Sequence, residues 1–373
     1  MFSRRLPHDL APNALARRRA ELPAEHDLTV SNPTRCGLLY PPDLLAPLGD
    51  PGGLRYDPDP QGIASAREAL AASAGVPPEC LILTASTSEA YALLFKLLAD
   101  VGDAVAHPAP SYPLIEHLAR LEGLRPIPYR LDPEDGWRPD PASVSGGVRA
   151  VVAVSPNNPT GSYLDGESLR ALGGRAPALI VDEVFRPFPL EGAPGPSGVE
   201  AEDGLTFTLG GLSKELGLPQ LKLAWIAVSG APAAVHAAVD RLAFLADQYL
   251  SVATPVQRAL PSLLRDARPV REAIAARCRG NLATLRALAA DVPEVSVLPV
   301  GGGWTAVLRI PAHLDEETLA LRLLEVRRVA VQPGYFFDFP REGYLVLSLL
   351  SPPPSFREGC RRVLEEVSTL ARW

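Results

Sequence analysis

Short apolar runs alternate with longer amphipathic segments from about residue 60 onward. Cys80–Thr84, Ala150–Val154 and Ala178–Val181 are almost entirely apolar, which is typical of strands buried on both faces of a parallel sheet. Segments with helical periodicity, such as Ala64–Ala74 and Ser88–Leu98, lie before and between the strands. The pattern predicts an α/β fold with a mostly parallel seven-stranded sheet and helices on both of its faces.

A second unit is predicted after the long helical pattern of Ala267–Ala290. The four short strand patterns and two helical patterns that follow it indicate a smaller α+β domain. We therefore expect three segments. Residues 1–45 form an N-terminal arm that joins the small domain, residues 46–265 form the large domain, and residues 266–373 form the small C-terminal domain.

Composition excludes several classes of protein. The 373 residues carry a net charge of −7, so the overall field gives no reason to bind nucleic acid. No apolar run is long enough to span a membrane, and the N-terminus lacks the apolar core of a signal peptide. The four cysteines form no CxxC pair and the histidines have no metal-binding spacing, so we expect reduced thiols, a cytoplasmic location and no metal.

Small hydroxyl residues follow the first predicted strand of the sheet. Ser86, Thr87 and Ser88 stand at the start of the next helix, where free N–H groups and the helix dipole attract anions. An ordinary helix cap is the commoner meaning of such residues. After the next strand, Tyr112 lies where its ring could stack on a flat ligand, although most such tyrosines simply pack.

Three further segments at strand ends carry polar groups toward the same edge of the sheet. The loop Ser155–Gly161 (SPNNPTG) is held by two prolines and carries Asn158. Asp182 ends an apolar run, where a carboxylate needs a partner. Lys214 follows two glycines in LGGLSKELGLP. Burial would lower its pKa and make its amine nucleophilic, whereas a solvated loop lysine is the ordinary alternative.

Taken together and in this order, these segments resemble the class I/II aminotransferases, which are fold type I pyridoxal-phosphate (PLP) enzymes. SPNNPTG, VDEVF and LSKELGLP carry the resemblance, which covers roughly residues 27–370. It implies an aspartate-aminotransferase-like fold with a large PLP-binding domain. It also implies a PLP-dependent aminotransferase that moves an amino group between an amino acid or amine and a 2-oxo acid by a ping-pong mechanism.

The resemblance also assigns the site. Lys214 forms the Schiff base with the cofactor and then moves protons, while Asp182 pairs with the pyridine nitrogen. The other cofactor-binding residues hold the ring and its phosphate: Asn158 on the ring's 3-oxygen, Tyr112 on the ring face, Ser86, Thr87, Ser88 and Lys222 on the phosphate, and Tyr56 on the phosphate of the neighbouring subunit. The role of Tyr56 implies a homodimer with shared active sites.

Four positions depart from the family pattern. Phe185 stands where a tyrosine is usual, Gly211 replaces a phosphate-binding serine, and Lys222 replaces an arginine. Most consequentially, Val346 stands where the family has the arginine that binds the substrate's α-carboxylate. Either another cation serves, or the substrate has no free α-carboxylate.

Three arginines are candidates for that missing cation. Arg35, in the loop that also contains Asn32, is preferred over Arg341 and Arg357 because the matching loop usually faces the substrate. We therefore predict that Arg35 and Asn32 bind substrate. A PLP-dependent lyase or decarboxylase stays an alternative, because the grip on the carboxylate decides which bond breaks. A DNA-binding regulator is disfavoured by the acidic charge and by the short segment before the fold.

Overall fold

The computed structural model describes residues 2–201 and 204–372. Its helices are α1 Ala14–Glu21, α2 Ala64–Ala74, α3 Thr87–Leu98, α4 Leu114–Leu121, α5 Gly166–Gly173, α6 Leu212–Glu215, α7 Pro232–Asp247, α8 Thr254–Asp266, α9 Arg268–Ala289, α10 Glu316–Arg327 and α11 Pro353–Leu370. Its strands are β1 His26–Asp27, β2 Leu81–Thr84, β3 Ala104–Ala109, β4 Arg125–Asp132, β5 Arg138–Pro139, β6 Ala150–Val154, β7 Ala178–Asp182, β8 Leu205–Gly211, β9 Ala224–Ser229, β10 Ser296–Val297, β11 Thr305–Arg309, β12 Val329–Ala330, β13 Gln332–Pro333 and β14 Tyr344–Ser348.

The central sheet has the strand order β2-β9-β8-β7-β6-β3-β4-β5. Neighbours from β8 to β4 are parallel, whereas β9 is antiparallel to both β2 and β8. The two-residue β5 pairs antiparallel with β4 and adds an eighth strand to the seven predicted. A strand of two residues is too short to show an alternating or apolar pattern in the sequence, so the prediction of seven strands was one too few.

Helices cover both faces of the central sheet. In β7, Ala178 and Ile180 pack on the face covered by α3, α4 and α7, whereas Leu179 and Val181 belong to a core on the opposite face. Helices α2 and α8 cover the part of that second face nearest β2 and β9. A strand buried on both sides must be apolar at successive positions, which explains its unbroken apolar run.

A four-stranded antiparallel sheet, in the order β10-β11-β14-β13, forms the C-terminal unit together with α9, α10 and α11. The N-terminal segment adds to this unit, because Leu15 and Leu28 lie in its core and β1 pairs parallel with β12. The exact boundaries at residues 45 and 265 stay a prediction. Within residues 2–201 and 204–372, no helix combines the length and apolar character needed to cross a membrane.

Three helices were absent from the sequence-based expectations, and one of them, α6, is only four residues long. Helix α8 contains Pro261 in its interior, a residue that normally breaks a helix, and α5 is only eight residues long and ends in glycine. The sequence has a helical pattern over Tyr112–Glu122, but α4 begins at Leu114. Tyr112 precedes Pro113, which disfavours helical backbone at the residue before it. Tyr112 therefore lies in a loop.

Candidate active site

A cavity of about 460 Å³ lies between the central sheet and the C-terminal unit. On one side it is lined by residues at the carboxyl ends of β6, β7 and β8, which are Val154, Asp182 and Gly211. This edge is where open parallel sheets bind their ligands. The opposite wall includes Trp304 and Gln332 of the C-terminal unit. Both units therefore contribute to one site.

Lys214 reaches this cavity from the short helix α6, which follows β8 directly. The side chain is partly buried, and its Nζ lies 5.3 Å from the ring centroid of Trp304 and 5.6 Å from that of Phe185. Burial lowers the pKa of the Lys214 amine, and the negative charge of Asp182 opposes this only in part. A larger fraction of the free amine, which is the nucleophile, is therefore present near neutral pH.

Gly210 and Gly211, the two residues before helix α6, allow strands β8 and β9 to approach closely. A Cβ on Gly210 would lie 2.4 Å from the Trp225 ring, closer than side-chain carbons approach each other. A Cβ on Gly211 would lie 3.1 Å from the Cβ of Ala224. Glycine at position 211, where the family usually has serine, avoids this tight contact with strand β9.

Asp182 is a buried carboxylate at the end of β7. The Tyr91 hydroxyl donates to its Oδ2 at 3.0 Å, and the Val184 backbone N–H donates to its Oδ1 at 3.1 Å. Burial nevertheless raises the pKa of Asp182. A cationic partner, such as a protonated ring nitrogen, would stabilise the charged form.

The two adjacent asparagines of the Asn–Pro loop have different tasks. Asn157 is buried and fixes the loop: it donates to the Pro110 carbonyl at 3.0 Å and to Thr160 Oγ1 at 2.9 Å. Asn158 lines the cavity, and its Oδ1 is buried with no partner among the described residues. A buried acceptor without a donor is costly, so a ligand group that carries an N–H or O–H near Asn158 Oδ1 fits the structure.

The start of α3 forms an anion-binding corner of the cavity. Ser86, Thr87 and Ser88 all line it, and the N–H groups of a first helical turn have no partner within their helix. Ser86 also accepts from the Glu89 N–H at 3.2 Å, so it is a helix cap as well, as the alternative interpretation of the sequence proposed. Lys222, at the end of a short turn, is exposed and lines the same cavity.

The predicted aromatic and substrate-binding residues are not all at the cavity. Tyr112 lines it and is 49% exposed, which leaves a ring face open. Tyr56 is 75% exposed and does not line it. Asn32 and Arg35 are also exposed and outside its lining; Asn32 caps its own turn by accepting from the Thr34 N–H. Roles for these three residues stay predictions.

Several residues at the cavity were missed by the sequence analysis. Tyr91 lies within the apolar face of α3, and only the fold brings its hydroxyl to Asp182. Trp304, Gln332 and Ser348 come from the C-terminal unit and face residues far away in sequence. No local motif marks them, so the sequence could have indicated only that strand residues of the small domain would close the site.

Pyridoxal phosphate has an aldehyde that a lysine amine attacks, a ring nitrogen that a carboxylate keeps protonated, and a phosphate. Lys214, Asp182 and the start of α3 meet these three needs within one cavity, and Asn158 on the same wall has a side-chain NH2 that could donate to the ring oxygen. The residues present therefore fit this cofactor, and fold and site together define a pyridoxal-phosphate enzyme.

Comparison with known proteins gives the family. Residues 42–362 match "Aminotransferase class I and II", and the chain belongs to this family. It is similar to the alanine aminotransferase of Mycobacterium tuberculosis, with 28% identity over 351 residues, 87% of this chain and 81% of that protein. It is also similar to the glutamate–pyruvate aminotransferase of Haemophilus influenzae, with 27% identity covering 84% and 83% of the two chains.

Solved aminotransferase structures have a similar fold. A solved aminotransferase structure from Escherichia coli superimposes with a TM-score of 0.86 at 23% identity, covering 99% of this chain and 98% of the other. The predicted family, fold class, cofactor and enzyme class are thereby confirmed. The reported relatives are all named aminotransferases, and nothing in the comparisons favours the lyase or decarboxylase alternative.

Proposed function

We propose that this cavity binds pyridoxal phosphate on Lys214 and transfers an amino group from an amino donor to a 2-oxo acid in a ping-pong cycle. The observation that carries the proposal is that one cavity holds a lysine of lowered pKa, a buried carboxylate and an amide whose Oδ1 has no partner among the described residues. When bound, the cofactor supplies an electron sink that lets a donor C–H bond ionise.

Each residue of the chain has one task in this cycle. Lys214 carries the cofactor through a Schiff base and, once free of it, moves a proton at the donor's reacting carbon with its Nζ. Asp182, held by Tyr91, keeps the ring nitrogen protonated. Asn158 donates to the ring oxygen. Phe185 offers no second donor there, so Asn158 carries this contact without the help usual in the family.

The phosphate is held at the other end of the ring. Ser86, Thr87 and Ser88 provide helix N–H groups and hydroxyls, and Lys222 provides a point charge. Tyr112 stacks on the ring. A lysine cannot make the two-pronged contact of an arginine, so the helix start takes a larger share of the phosphate than it would beside an arginine.

A homodimer with shared active sites completes the proposal. Tyr56 is exposed, and the neighbouring Leu54 is 91% exposed, which leaves both free to contact a second copy and Tyr56 free to reach its phosphate. The cytoplasmic location expected from the unpaired cysteines stays a prediction, as does substrate binding by Arg35 and Asn32. The relatives named for alanine, glutamate and pyruvate support a small 2-oxo acid as acceptor.

Absorbance spectroscopy tests the proposal directly. Protein loaded with pyridoxal phosphate is titrated with one amino donor at a time, without any 2-oxo acid. We expect the band of the lysine-bound cofactor to fall and a pyridoxamine phosphate band to rise, and a 2-oxo acid to reverse the change. A cofactor band that stays constant while keto acid or carbon dioxide accumulates would contradict amino transfer.

A further inference from the structure

The loop between β13 and β14 joins the C-terminal unit to the large unit that contains the central sheet. Phe337 of this loop lines the cavity, and its backbone carbonyl accepts from the Ser111 N–H at 2.9 Å. Phe339 packs edge-on against Trp137 of the large unit, with 5.4 Å between the ring centroids. We call residues 334–343 the bridging loop, since this one segment forms part of the cavity wall and contacts both units.

The contact at Ser111 lies beside residues that line the cavity. Tyr112, the next residue, is one of them. The Ser111 hydroxyl donates to Asn157 Oδ1 at 3.0 Å, and Asn157 fixes the loop that carries Asn158. A shift of the bridging loop would therefore move Phe337 in the wall and would pull on the segment that joins Tyr112 to the Asn–Pro loop.

One carboxylate holds both ends of the bridging loop. Glu316, in the first turn of α10, is 1% exposed. Its Oε2 accepts from the Tyr335 N–H at 2.9 Å. Its Oε1 accepts from the N–H groups of Gly343 and Tyr344, at 2.9 and 2.7 Å. The start and the end of the loop are therefore tied to the same side chain.

The backbone around Glu316 is shaped to admit its carboxylate. A Cβ on Gly334 would lie 3.0 Å from Glu316 Oε1 and 2.8 Å from the Cβ of Tyr344, so a side chain there would push the loop away. Gly343 has a φ of +104°, which favours glycine. A buried carboxylate destabilises a fold unless its oxygens find donors. The three backbone N–H groups supply those donors, and the loop is held in one position as a result.

The other polar contacts of the bridging loop constrain it less. Arg341 Nη2 lies 2.8 Å from Glu134 Oε1, but both side chains are more than half exposed, and exposed ion pairs contribute little to stability. The bond from the Ser111 N–H to the Phe337 carbonyl fixes one point of the loop, whereas Glu316 fixes both ends. Glu316 is therefore the group that decides where the loop lies.

We infer that Glu316 is a positioning residue of the active site, which closes the bridging loop and so keeps Phe337 in its place in the cavity wall. Glu316 itself does not line the cavity, and it acts through the backbone of the loop. A wall that contacts the bound substrate contributes binding energy, and this contribution is lost when the wall shifts. The inference rests on the proposed function only where turnover is measured.

Glu316→Gln tests the inference on the loaded enzyme. The amide oxygen still accepts from Gly343 and Tyr344, but the NH2 group faces the Tyr335 N–H, and two donors cannot form a hydrogen bond. The substrate is whichever protein amino acid reacts fastest with wild type. We expect its KM to rise about tenfold, the effect of one lost hydrogen bond, with kcat nearly unchanged, as for lost binding of the substrate. The dissociation constant of pyridoxal phosphate should stay the same, because the residues proposed to hold it belong to the large unit.

Glu366→Gln is the matched control. Glu366 is also 1% exposed in the C-terminal unit, and its carboxylate binds Arg322 and Arg327 and not the bridging loop. We expect this variant to lower the thermal midpoint, because breaking a buried ion pair is destabilising, but to leave KM unchanged. An equal rise in KM for both variants would overturn the inference, as would an unchanged KM in Glu316→Gln.

A double substitution tests whether Glu316 acts through Phe337. Phe337→Ala removes the part of the wall that Glu316 holds, so it should raise KM by itself. Adding Glu316→Gln should then have little further effect on KM, because the effects of coupled residues are not additive. Circular dichroism and the band of the bound cofactor verify that each variant folds and loads. If the two substitutions multiply each other's effects on KM, the inferred action through Phe337 is wrong.

Amide hydrogen exchange gives a readout apart from turnover. In the loaded Glu316→Gln variant, peptides that cover the bridging loop should exchange at least about tenfold faster than in wild type, whereas peptides that cover α9 should not. Unchanged protection of the loop would overturn the inference even if KM rises. If wild type forms no pyridoxamine band with any amino acid, the proposed function fails instead, and the exchange of the loop still decides whether Glu316 holds it.

Discussion

The two ends of the active-site cavity are built from different chemistry. The cofactor end holds Asp182, Lys214 and Lys222, together with the open start of helix α3. The other end, which we propose faces the substrate and call the substrate end, is formed in part by Trp304 and Gln332, and Val346 is buried beside Gln332 in the sheet. Among the described residues, the charged side chains that line the cavity thus lie at the end proposed for the cofactor, and none lies at the end proposed for the substrate.

The energetic reason for this division lies in where each group sits. The charged side chains at the cofactor end line the cavity, where a bound cofactor would supply their counter-charges. An arginine at position 346 would instead project from the sheet face between the neighbours Val307 and Gln332, and its charge would be costly whenever no carboxylate paired with it. Replacing the family's arginine by valine therefore removes a charge from the site and gains packing between the two units.

The largest effect is expected at Lys214. The chain contains three lysines, Lys96, Lys214 and Lys222. Lys214→Ala should lower amino transfer by about 10⁵-fold or more, because it removes both the nucleophile and the proton carrier. Borohydride reduction of the loaded protein followed by peptide mapping should label Lys214. Lys96, a surface residue paired with Glu122 at 2.6 Å, is the control, and label on Lys96 or Lys222 would contradict the assignment.

Asp182→Asn should separate function from stability. We expect amino transfer to fall about 10³-fold, because a neutral amide no longer holds the ring nitrogen protonated. The free energy of unfolding of the cofactor-free protein should rise by about 1 kcal/mol at pH 7, because burial penalises the carboxylate more than its two hydrogen-bond donors and the charge of Lys214 stabilise it.

The pH dependence of the free energy of unfolding shows whether the ionised carboxylate of Asp182 causes this gain. Burial raises the pKa of Asp182 above its unfolded value, so its ionisation costs stability as pH rises through that window. The advantage of Asp182→Asn should therefore be present at pH 7 and vanish below about pH 3.9, where the unfolded carboxyl is also protonated. Asp240→Asn, on the exposed face of α7, is the control, and denaturant melts with no gain for Asp182→Asn would count against the burial argument.

The cofactor end was predictable from the sequence because its parts are local. Asn158, Asp182 and Lys214 each follow a buried strand directly, and the parallel arrangement brings strand ends to one edge. The order of these segments then indicated the family, which the comparisons confirm. The buried central strands were also predictable, since runs such as Ala150–Val154 and Ala178–Val181 are continuously apolar.

The substrate end was not predictable in the same way. Trp304 was not singled out in the sequence, because its partners Phe185 and Phe188 lie more than a hundred residues earlier. Val346 could be recognised from the sequence as a departure from the family's arginine. Only the fold shows that no arginine of the described chain lines the cavity instead. Long-range packing decides both points, and a sequence pattern reports only short-range periodicity.

Substitutions of Lys222 test how much of the phosphate binding comes from this cation and how much from the start of α3. Lys222→Ala should raise the dissociation constant of pyridoxal phosphate by about 10- to 100-fold, as expected for losing one charged contact. Lys222→Arg should retain the affinity, because the cation remains. Equilibrium dialysis of both variants gives the constants. Unchanged affinity in Lys222→Ala would mean that the start of α3 holds the phosphate without this cation.

The pH dependence of cofactor attachment tests the lowered pKa of Lys214. Because the deprotonated amine attacks the aldehyde, the rate should rise about tenfold per pH unit until pH reaches the pKa of Lys214 and then level off. Burial lowers that pKa, so the plateau should begin below the usual lysine value of about 10.4. Stopped-flow absorbance of the cofactor-free protein measures it, and a rise that continues past pH 10.4 would show that Lys214 is not desolvated.

The smallest effect should come from adding charge to the neutral end. Gln332 lines the cavity and is partly exposed, so Gln332→Arg places a cation there without burying it in the sheet as a change at Val346 would. We expect the ratio of kcat/KM for leucine over leucinol to rise about tenfold, because a carboxylate gains a charged partner worth more than a neutral hydrogen bond. Gln248→Arg, on the surface beyond α7, controls for net charge. If both variants shift the ratio equally, the long-range field decides substrate choice; if neither does, the carboxylate is already bound by a cation elsewhere, and the contrast between the two ends fails.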